Sequence, residues 1–516
     1  MNKLLLARFL GLISLLLGSS MAFSLPWAFP LISGGEFESR GFFGLLASMA
    51  VCFVVGGVLQ YLGRGTQTRL FRKEAMAVVG LSWILATVLG ALPYSFSGTM
   101  VDAQRHITFV DAIFESQSGF STTGATLLTD LDNPKLVPHC ILFWRSSTHF
   151  LGGLGIVVLF VALLGQGSAG KAMMRAEVPG PSFESHQARV QHTAWMLCVI
   201  YLTLNVVLTL LLWIEGLSLF DALCHAFGTM ATGGFSTHNA SVGWFAQQPG
   251  LNGPLIEMTI LVFMVLAGTN FVLFYFVALG QPGRLLGDIE WRAYIGFMLV
   301  VSMLVVAFGL YHEDFTNLAS ATRYGVFQVV SIMTTTGYGT HDFDAWNSFG
   351  RGVLFLLMFV GGCAGSTGGG LKVIRHILLL KVLRLQIEQA YRPTVVRPVR
   401  LSGHPLPEEL RTSIPMYFGA ILVIFVFSWM AVVTFEPDAT WTAKGQPIEN
   451  KLIDSASGVA ATLNNIGPGL GTVGATQNYA HFSQSSKLLF TFLMMVGRLE
   501  VYVILVLFVP SFWRSR

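Results

Sequence analysis

Apolar runs long enough to cross a lipid bilayer, which takes roughly 20 residues each, recur along the whole chain. They fall at residues 4–29, 42–62, 75–96, 140–164, 194–214, 256–279, 294–310, 353–380, 416–435 and 488–510. A bilayer offers backbone groups no water, so a spanning chain must form helices or a closed barrel, and these runs are of helix length. Only 11% of the 516 residues are charged and mean hydropathy is +0.64, against about 25% charged in soluble domains. The reading is an all-α polytopic membrane protein with ten crossings. Lys3 and Arg8 flank the first run as in a signal peptide. Its apolar core is long, however, and Ser20-Met21-Ala22-Phe23 is a poor cleavage site, so we read it as a retained helix.

Lys and Arg mark the cytoplasmic loops. One set of loops carries Arg64, Arg69, Arg72 and Lys73, then Lys171, Arg175 and Arg189, then Arg284 and Arg292. The same side holds Lys381, Arg384, Arg392, Arg397, Arg400, Arg411, Arg514 and Arg516. The opposite loops are poorer in them, though Arg105, Lys135, Arg323 and Arg351 fall there. Both termini are thus expected in the cytoplasm, and the net charge of +4 reflects topology, with no nucleic-acid partner required. Five cysteines (Cys52, Cys140, Cys198, Cys224, Cys363) show no paired spacing, which indicates packing residues and neither a disulfide framework nor a zinc site.

The outer loops repeat. Four of them contain a helix-length segment that ends in a glycine-centred turn. The first runs from Asp111 to Gly124, the second from Asp221 to Thr237, the third from about Tyr324 to Gly339, and the fourth from Asp454 to Gly469. Three begin with Asp, a residue suited to cap a helix and to offset its positive end. The repeating unit is helix, re-entrant helix with turn, helix. It follows an initial helix pair and predicts a pseudo-symmetric assembly around one central pore. The expected divisions are the N-terminal pair (1–70), unit one (71–170), unit two (185–282), unit three (288–385), a basic linker (386–410) and unit four (411–516).

Irregular backbone at membrane depth is tolerated where it lines a cavity, and rings of carbonyl oxygens can replace a cation's hydration shell. Glycine admits the backbone angles this needs. The candidate ion-lining residues are Thr122, Thr123 and Gly124; Ala231, Thr232 and Gly233; Thr335, Thr336, Gly337 and Tyr338; and Asn465, Ile466 and Gly467. The central glycines are expected to be Gly124, Gly233, Gly337 and Gly467, with Ala125, Gly234 and Pro468 in the place of Tyr338.

Specific stretches carry a family resemblance. They are Gly361-Gly362-Cys363-Ala364-Gly365-Ser366-Thr367-Gly368-Gly369-Gly370-Leu371-Lys372, Ala461-Thr462-Leu463-Asn464-Asn465-Ile466-Gly467-Pro468-Gly469, Gly497-Arg498-Leu499-Glu500 and Gly234-Phe235-Ser236-Thr237-His238. The chain resembles the Trk/Ktr/HKT superfamily of potassium transporters, and within it the membrane subunit of bacterial Trk systems. The resemblance implies one chain with four pore units, each related to a potassium-channel subunit. Only Thr335-Thr336-Gly337-Tyr338-Gly339 is close to the channel signature TVGYG. A serine at the first-turn glycine marks sodium-selective plant relatives; Gly124 stands there, which favours K+ as the transported ion.

The resemblance also implies a gate beneath the turns. The glycines from Gly361 to Gly370 interrupt the eighth run, where each costs a helix roughly 1 kcal/mol relative to alanine, so an unwound loop in the permeation path is expected. Arg498 lies within the last run, where a charge must face a cavity or protein. By resemblance it faces the pore near the loop; Glu500, two residues on, lies on another helix face. Lys372 either faces the pore or snorkels to the cytoplasmic interface. The family further implies a homodimer and a cytosolic nucleotide-binding partner of TrkA type, for which 381–411 offers a basic surface, equally suited to anionic membrane lipid.

Other patterns are decoys. Gly469-Leu470-Gly471-Thr472-Val473-Gly474 fits GxGxxG but lacks a preceding strand, and residues 365–372 lack the GK[ST] ending of a phosphate loop. The histidines form no metalloprotease pattern; His225 is read as a packing residue. No catalytic cluster or organic cofactor site is evident, so an enzyme is not expected. The functional reading is gated, channel-like potassium uptake across the bacterial inner membrane. The alternative is a carrier that couples K+ or Na+ entry to a proton or sodium gradient, though carriers are often built on inverted repeats and these segments all enter from one side.

Overall fold

The computed structural model describes residues 1–30, 35–65, 71–155, 190–395, 398–401, 404–406, 408–442, 450–499 and 501–514. Arg69, Lys171, Arg175, Arg189, Arg397, Glu500 and Arg516, and the end of the fourth apolar run, lie outside them. The described residues are mostly helical, with two short two-stranded sheets. Helices α1 (Lys3–Met21) and α2 (Ser39–Leu62) form the N-terminal pair. They cross closely because Gly11 faces Gly56: a Cβ on Gly11 would sit 2.9 Å from the Gly56 carbonyl oxygen, the small-residue contact that lets membrane helices approach.

Four helix–turn–helix units follow. The first is α3 (Arg72–Phe96), α4 (Phe109–Phe120) and α5 (His139–Leu154). The second is α6 (Val190–Ile214), α7 (Leu219–Met230), α8 (Gly253–Ala267) and α9 (Phe271–Ala278). The third is α10 (Ile289–Tyr311), α11 (Phe327–Met333), α12 (Ser348–Leu357) and α13 (Val373–Tyr391). The fourth is α14 (Glu408–Phe435), α15 (Lys451–Leu463) and α16 (Gln484–Leu499).

Of the ten expected crossings, six are single helices long and apolar enough to span a membrane among the described residues. Of the remaining four, the fourth and tenth runs include residues outside the described ones, and the sixth and eighth are interrupted. The sixth run breaks between α8 and α9 with a bend of 98°, at Gly268-Thr269-Asn270, where the Asn270 side chain accepts from the Val272 N–H and starts a new helix. The eighth run is unwound between α12 and α13, as expected from its glycines.

The Asp residues that open the repeats are not the caps themselves. Thr108 caps α4 and Ser218 caps α7, and Asp111 and Asp221 stand at the third helical position. Thr108 and Asp111 form a reciprocal capping box, in which the hydroxyl satisfies a free helix N–H and the carboxylate reaches back. Asp454 sits one residue deeper in α15 and accepts from the Thr472 N–H and hydroxyl.

Ion pairs tie neighbouring units together. Lys487 of α16 donates to Asp111 of α4 at 2.7 Å with both side chains fully buried, so the last unit is fastened to the first. Arg323, just before α11, makes a two-pronged pair with Glu257 of α8 at 2.6 and 2.7 Å. Removing one member of a buried pair leaves the other charge uncompensated, which costs about 3–5 kcal/mol. Asp111→Ala should therefore lower the thermal stability of the detergent-solubilised protein sharply, whereas Asp111→Leu with Lys487→Met should recover most of the loss. A single variant as stable as the parent in a melting experiment would show that the pair does not close the ring.

Candidate functional site

The helices α4, α7, α11 and α15 each run into the same turn. Each ends in a residue of ordinary helical or near-helical geometry: Ser121, Ala231, Thr334 or Asn464. The next residue is left-handed: Thr122 (φ 53°), Thr232 (53°), Thr335 (61°) and Asn465 (55°). Two residues on comes a left-handed glycine: Gly124 (79°), Gly234 (75°), Gly337 (79°) and Gly467 (97°). Non-glycine residues seldom adopt positive φ, so four such repeats mark one imposed backbone shape.

This fixes the register and corrects the second turn. Gly234, not Gly233, is the counterpart of Gly124, Gly337 and Gly467. Gly233 takes the place of Thr123, Thr336 and Ile466, and Phe235 that of Tyr338. The reason is conformational: Gly234 holds the positive φ, whereas Gly233 is a glycine because a Cβ there would meet the ring of His149, 2.5 Å from Cδ2.

The four turns touch in a closed cycle. A Cβ on Gly124 would strike the Gly233 carbonyl oxygen, one on Gly234 that of Thr336, one on Gly337 that of Ile466, and one on Gly467 that of Thr123. Each glycine therefore lets its turn lie against the carbonyl of the next unit, and the last returns to the first. Asn465 adds a side-chain bridge, donating 2.9 Å to the Thr123 hydroxyl and 2.8 Å to the Met494 carbonyl.

Other groups brace the ring from behind. Tyr338 is buried, and its hydroxyl donates to the carbonyls of Phe235 (3.2 Å) and His225 (3.3 Å) in the second unit. Its own carbonyl accepts from Ser331 Oγ (2.7 Å) and Gln328 Nε2 (3.3 Å). The Ala125 carbonyl accepts likewise from Ser118 Oγ (2.6 Å), and that of Gly467 from the Tyr479 hydroxyl (2.9 Å). By contrast, among the described residues the carbonyls of Thr122, Thr123, Thr232, Thr335, Thr336, Asn465 and Ile466 receive no hydrogen bond from the protein. All seven residues are buried. Buried carbonyls almost always have partners, and a ring of oxygens without donors is chemically a site for a dehydrated cation.

Arg145 and Glu115 were not singled out from the sequence, although a charge within an apolar run is itself a signal. They form a buried pair at 2.6 Å. Glu115 also accepts from Thr126 Oγ1 (2.9 Å) and the Leu127 N–H (3.0 Å), which fixes the exit of the first turn. Arg145 donates to the Ser236 carbonyl (3.0 Å) and lies 3.3 Å over the Phe235 ring, fixing the second.

Beneath the ring, residues 358–372 form the unwound loop. The Gly369 N–H donates 2.8 Å to Thr335 Oγ1, and Gly369 and Gly370 leave no room for a Cβ against Asn464 and Asn465. The loop thus lies directly under the third and fourth turns. Arg498 donates to the loop carbonyl of Thr367 (2.6 Å) and to those of Gly152 (2.5 Å) and Gly153 (3.3 Å) at the end of α5. It joins units four, three and one, and its charge meets a helix C-terminus that favours it. Lys372 does not snorkel to the interface. It is fully buried and folds back on its own loop, donating to Ser366 Oγ (3.3 Å) and to the Gly368 carbonyl.

On the outer side, His238 links two units. Its ring stacks on Trp244 with centroids 3.6 Å apart and lies between Asp132 (2.5 Å) and Asp221 (3.5 Å). Burial disfavours the charged imidazolium, but the two carboxylates outweigh it and raise the pKa above the usual 6.5. A raised folded-state pKa gives stability that is complete below pH 6.5 and fades as pH climbs through the raised value. His238→Ala should accordingly lower the melting temperature more at about pH 6 than at about pH 8.5. An equal deficit at both pH values would exclude the charged clamp.

Comparisons with known proteins agree with this geometry. The model of the TrkH family, described as cation transport protein, matches residues 43–515. The chain is 36% identical over 516 residues to the Trk system potassium uptake protein TrkH of Salmonella typhimurium, covering 99% of each. It is 30% identical over 496 residues to the Trk system potassium uptake protein TrkG of Escherichia coli K12, covering 96% of each. The crystal structure of the potassium transporter TrkH from Vibrio parahaemolyticus superposes with a TM-score of 0.82 at 31% identity, over 100% of both chains.

Proposed function

We propose, from the premise that the chain belongs to the TrkH family of cation transport proteins, that it takes up potassium through a gated pore selected by backbone carbonyls. The observation that carries this reading is the closed cycle of four turns with buried, donor-free carbonyls. A dehydrated K+ would sit among the carbonyls at the Thr122 and Thr123 positions and their counterparts, Thr232 and Gly233, Thr335 and Thr336, Asn465 and Ile466. Gly124, Gly234, Gly337 and Gly467 set the spacing of the ring. Tyr338 braces the ring through its side chain, its carbonyl being already engaged.

The loop from Gly361 to Gly370, held by Arg498 and Lys372, is the gate in this reading. Its position under the turns supports it, as do its many contacts to other units. The four re-entrant helices all present their C-terminal ends to one ring, which favours a pore over an inverted-repeat carrier. We place the protein in the bacterial inner membrane, with both termini cytoplasmic, as a homodimer working with a nucleotide-binding subunit of TrkA type on the basic cytoplasmic surface. Transport, not catalysis, is the proposed role, with K+ as cargo.

Rubidium and sodium flux into proteoliposomes, with and without an imposed proton gradient, tests ion choice and coupling together. Flux that requires the proton gradient would favour the carrier. Gly337→Ser puts a side chain against the Ile466 carbonyl at a positive φ, and should reduce discrimination between K+ and Na+ by about tenfold, the equivalent of ~1.4 kcal/mol. Unchanged relative permeability in a monodisperse variant would refute the filter assignment. Deleting residues 364–369 should raise flux; a fall in flux with the fold intact would refute the gate.

A further inference from the structure

The first turn of α10 carries Glu290, a carboxylate that neither the ring nor the loop's own residues account for. An acidic residue there ordinarily stabilises its own helix by facing the positive N-terminal end, usually from solvent. Glu290 is instead buried, and its hydrogen-bond donors lie far away in sequence. Its Oε1 accepts the Ala364 N–H at 2.7 Å and the Ile374 N–H at 3.0 Å. One donor lies within the glycine-rich stretch and the other just past its end.

The Ile374 bond has a specific cause. Helix α13 begins at Val373, and the residue in its capping position, Lys372, offers no side-chain acceptor for the free N–H groups. Helix starts need such acceptors. Glu290 supplies one from another helix, and the same oxygen takes an N–H from inside the loop. The loop's shoulders are also bonded to each other, Gly361 N–H to Leu371 carbonyl (2.8 Å) and Val373 N–H to Gly362 carbonyl (3.1 Å). The far side rests on the α8–α9 break, where the Cys363 N–H donates to the Gly268 carbonyl (2.8 Å) and the Phe271 N–H donates to the Gly365 carbonyl (3.1 Å). These are backbone bonds, whereas the bonds to Glu290 come from a side chain on another helix, which a single substitution removes. The charged neighbours of Glu290 are Asp288 on its own helix and Lys372 on the loop side.

We propose that Glu290 is the positioning residue that latches the glycine-rich loop in its closed arrangement, by capping α13 and holding Ala364 with one carboxylate oxygen. The inference rests on the reading of this loop as the gate. Loss of the latch biases the loop toward open states, since whatever favours one of two arrangements sets their populations.

The test is rubidium flux in proteoliposomes for the parent, Glu290→Ala, Glu290→Gln, the 364–369 deletion, and Glu290→Ala combined with that deletion. Glu290→Ala should raise flux by roughly tenfold, the equivalent of about 1.4 kcal/mol in the closed–open balance. Glu290→Gln keeps an uncharged carbonyl acceptor and should fall between alanine and the parent. In the deletion background Glu290→Ala should change nothing, because the loop it holds is gone; a general loss of stability would act in both backgrounds. If the deletion fails to raise flux, the gate reading fails. If the deletion raises flux while well-folded alanine and glutamine variants do not, the latch is wrong and the gate reading stands. Should the alanine variant misfold, the glutamine variant alone decides by its flux relative to the parent.

Discussion

Everything in this molecule depends on four backbones meeting within van der Waals distance around one axis. Such an approach is possible only where no Cβ intervenes, and Gly124, Gly234, Gly337 and Gly467 are the positions where one would strike the next unit's carbonyl. The contact is cyclic, so no turn can shift without displacing its neighbour. That explains the support behind the ring. Buried pairs such as Asp111–Lys487 and Glu115–Arg145 set the units at the spacing the turns require. Buried ion pairs are poor contributors to net stability, but breaking one is costly, which makes them effective as fixed spacers between units.

The second dependency runs downward from the ring to the loop. Thr335 links the two, since its backbone takes the left-handed shape of the third turn while its hydroxyl accepts the Gly369 N–H. Arg498 then carries the loop's Thr367 carbonyl across to the end of α5. Four units thus converge twice, once through carbonyls at the turns and once through hydrogen bonds to the loop. A rearrangement of the loop is felt at the ring without any long relay, because they share residues.

Much of this was legible in the sequence. Apolar runs of helix length, the repeated Asp-to-glycine segments and the glycine-rich break in the eighth run follow from bilayer thickness and backbone chemistry. What was not legible depends on contacts between distant segments. The second turn carries two adjacent glycines, and choosing Gly233 shifted its register by one; the interval from Asp221 to Gly234 matches that from Asp111 to Gly124 and from Asp454 to Gly467, a signal that was available. The sharp bend at Gly268-Thr269-Asn270 sits in a run apolar enough to read as one helix. Of the two readings open for Lys372, snorkelling is excluded by its burial, and its side chain bonds its own loop. Glu290 gave no local sign, since an acid in a first turn is ordinary.

The order of the carbonyls bears on how strict the selection is. In Thr335-Thr336-Gly337-Tyr338-Gly339, the resemblance to the channel signature suggests that the tyrosine carbonyl also faces the ion. Here that carbonyl is turned toward Ser331 and Gln328, and its counterpart at Ala125 toward Ser118. A carbonyl engaged by a protein donor is a weaker ligand and is aimed elsewhere. The buried donor-free oxygens end at Thr123, Thr336 and Ile466, two residues before Ala125 and Tyr338, and of the side chains only the left-handed glycine is common to all four quadrants. A shorter ring from four unlike turns encloses the ion less uniformly than four identical loops would. In the proposed reading of the ring as a filter, discrimination between monovalent cations would rest on the few carbonyl layers around Thr123 and Thr336, held in place by the glycine contacts, more than on a long queue of equivalent sites.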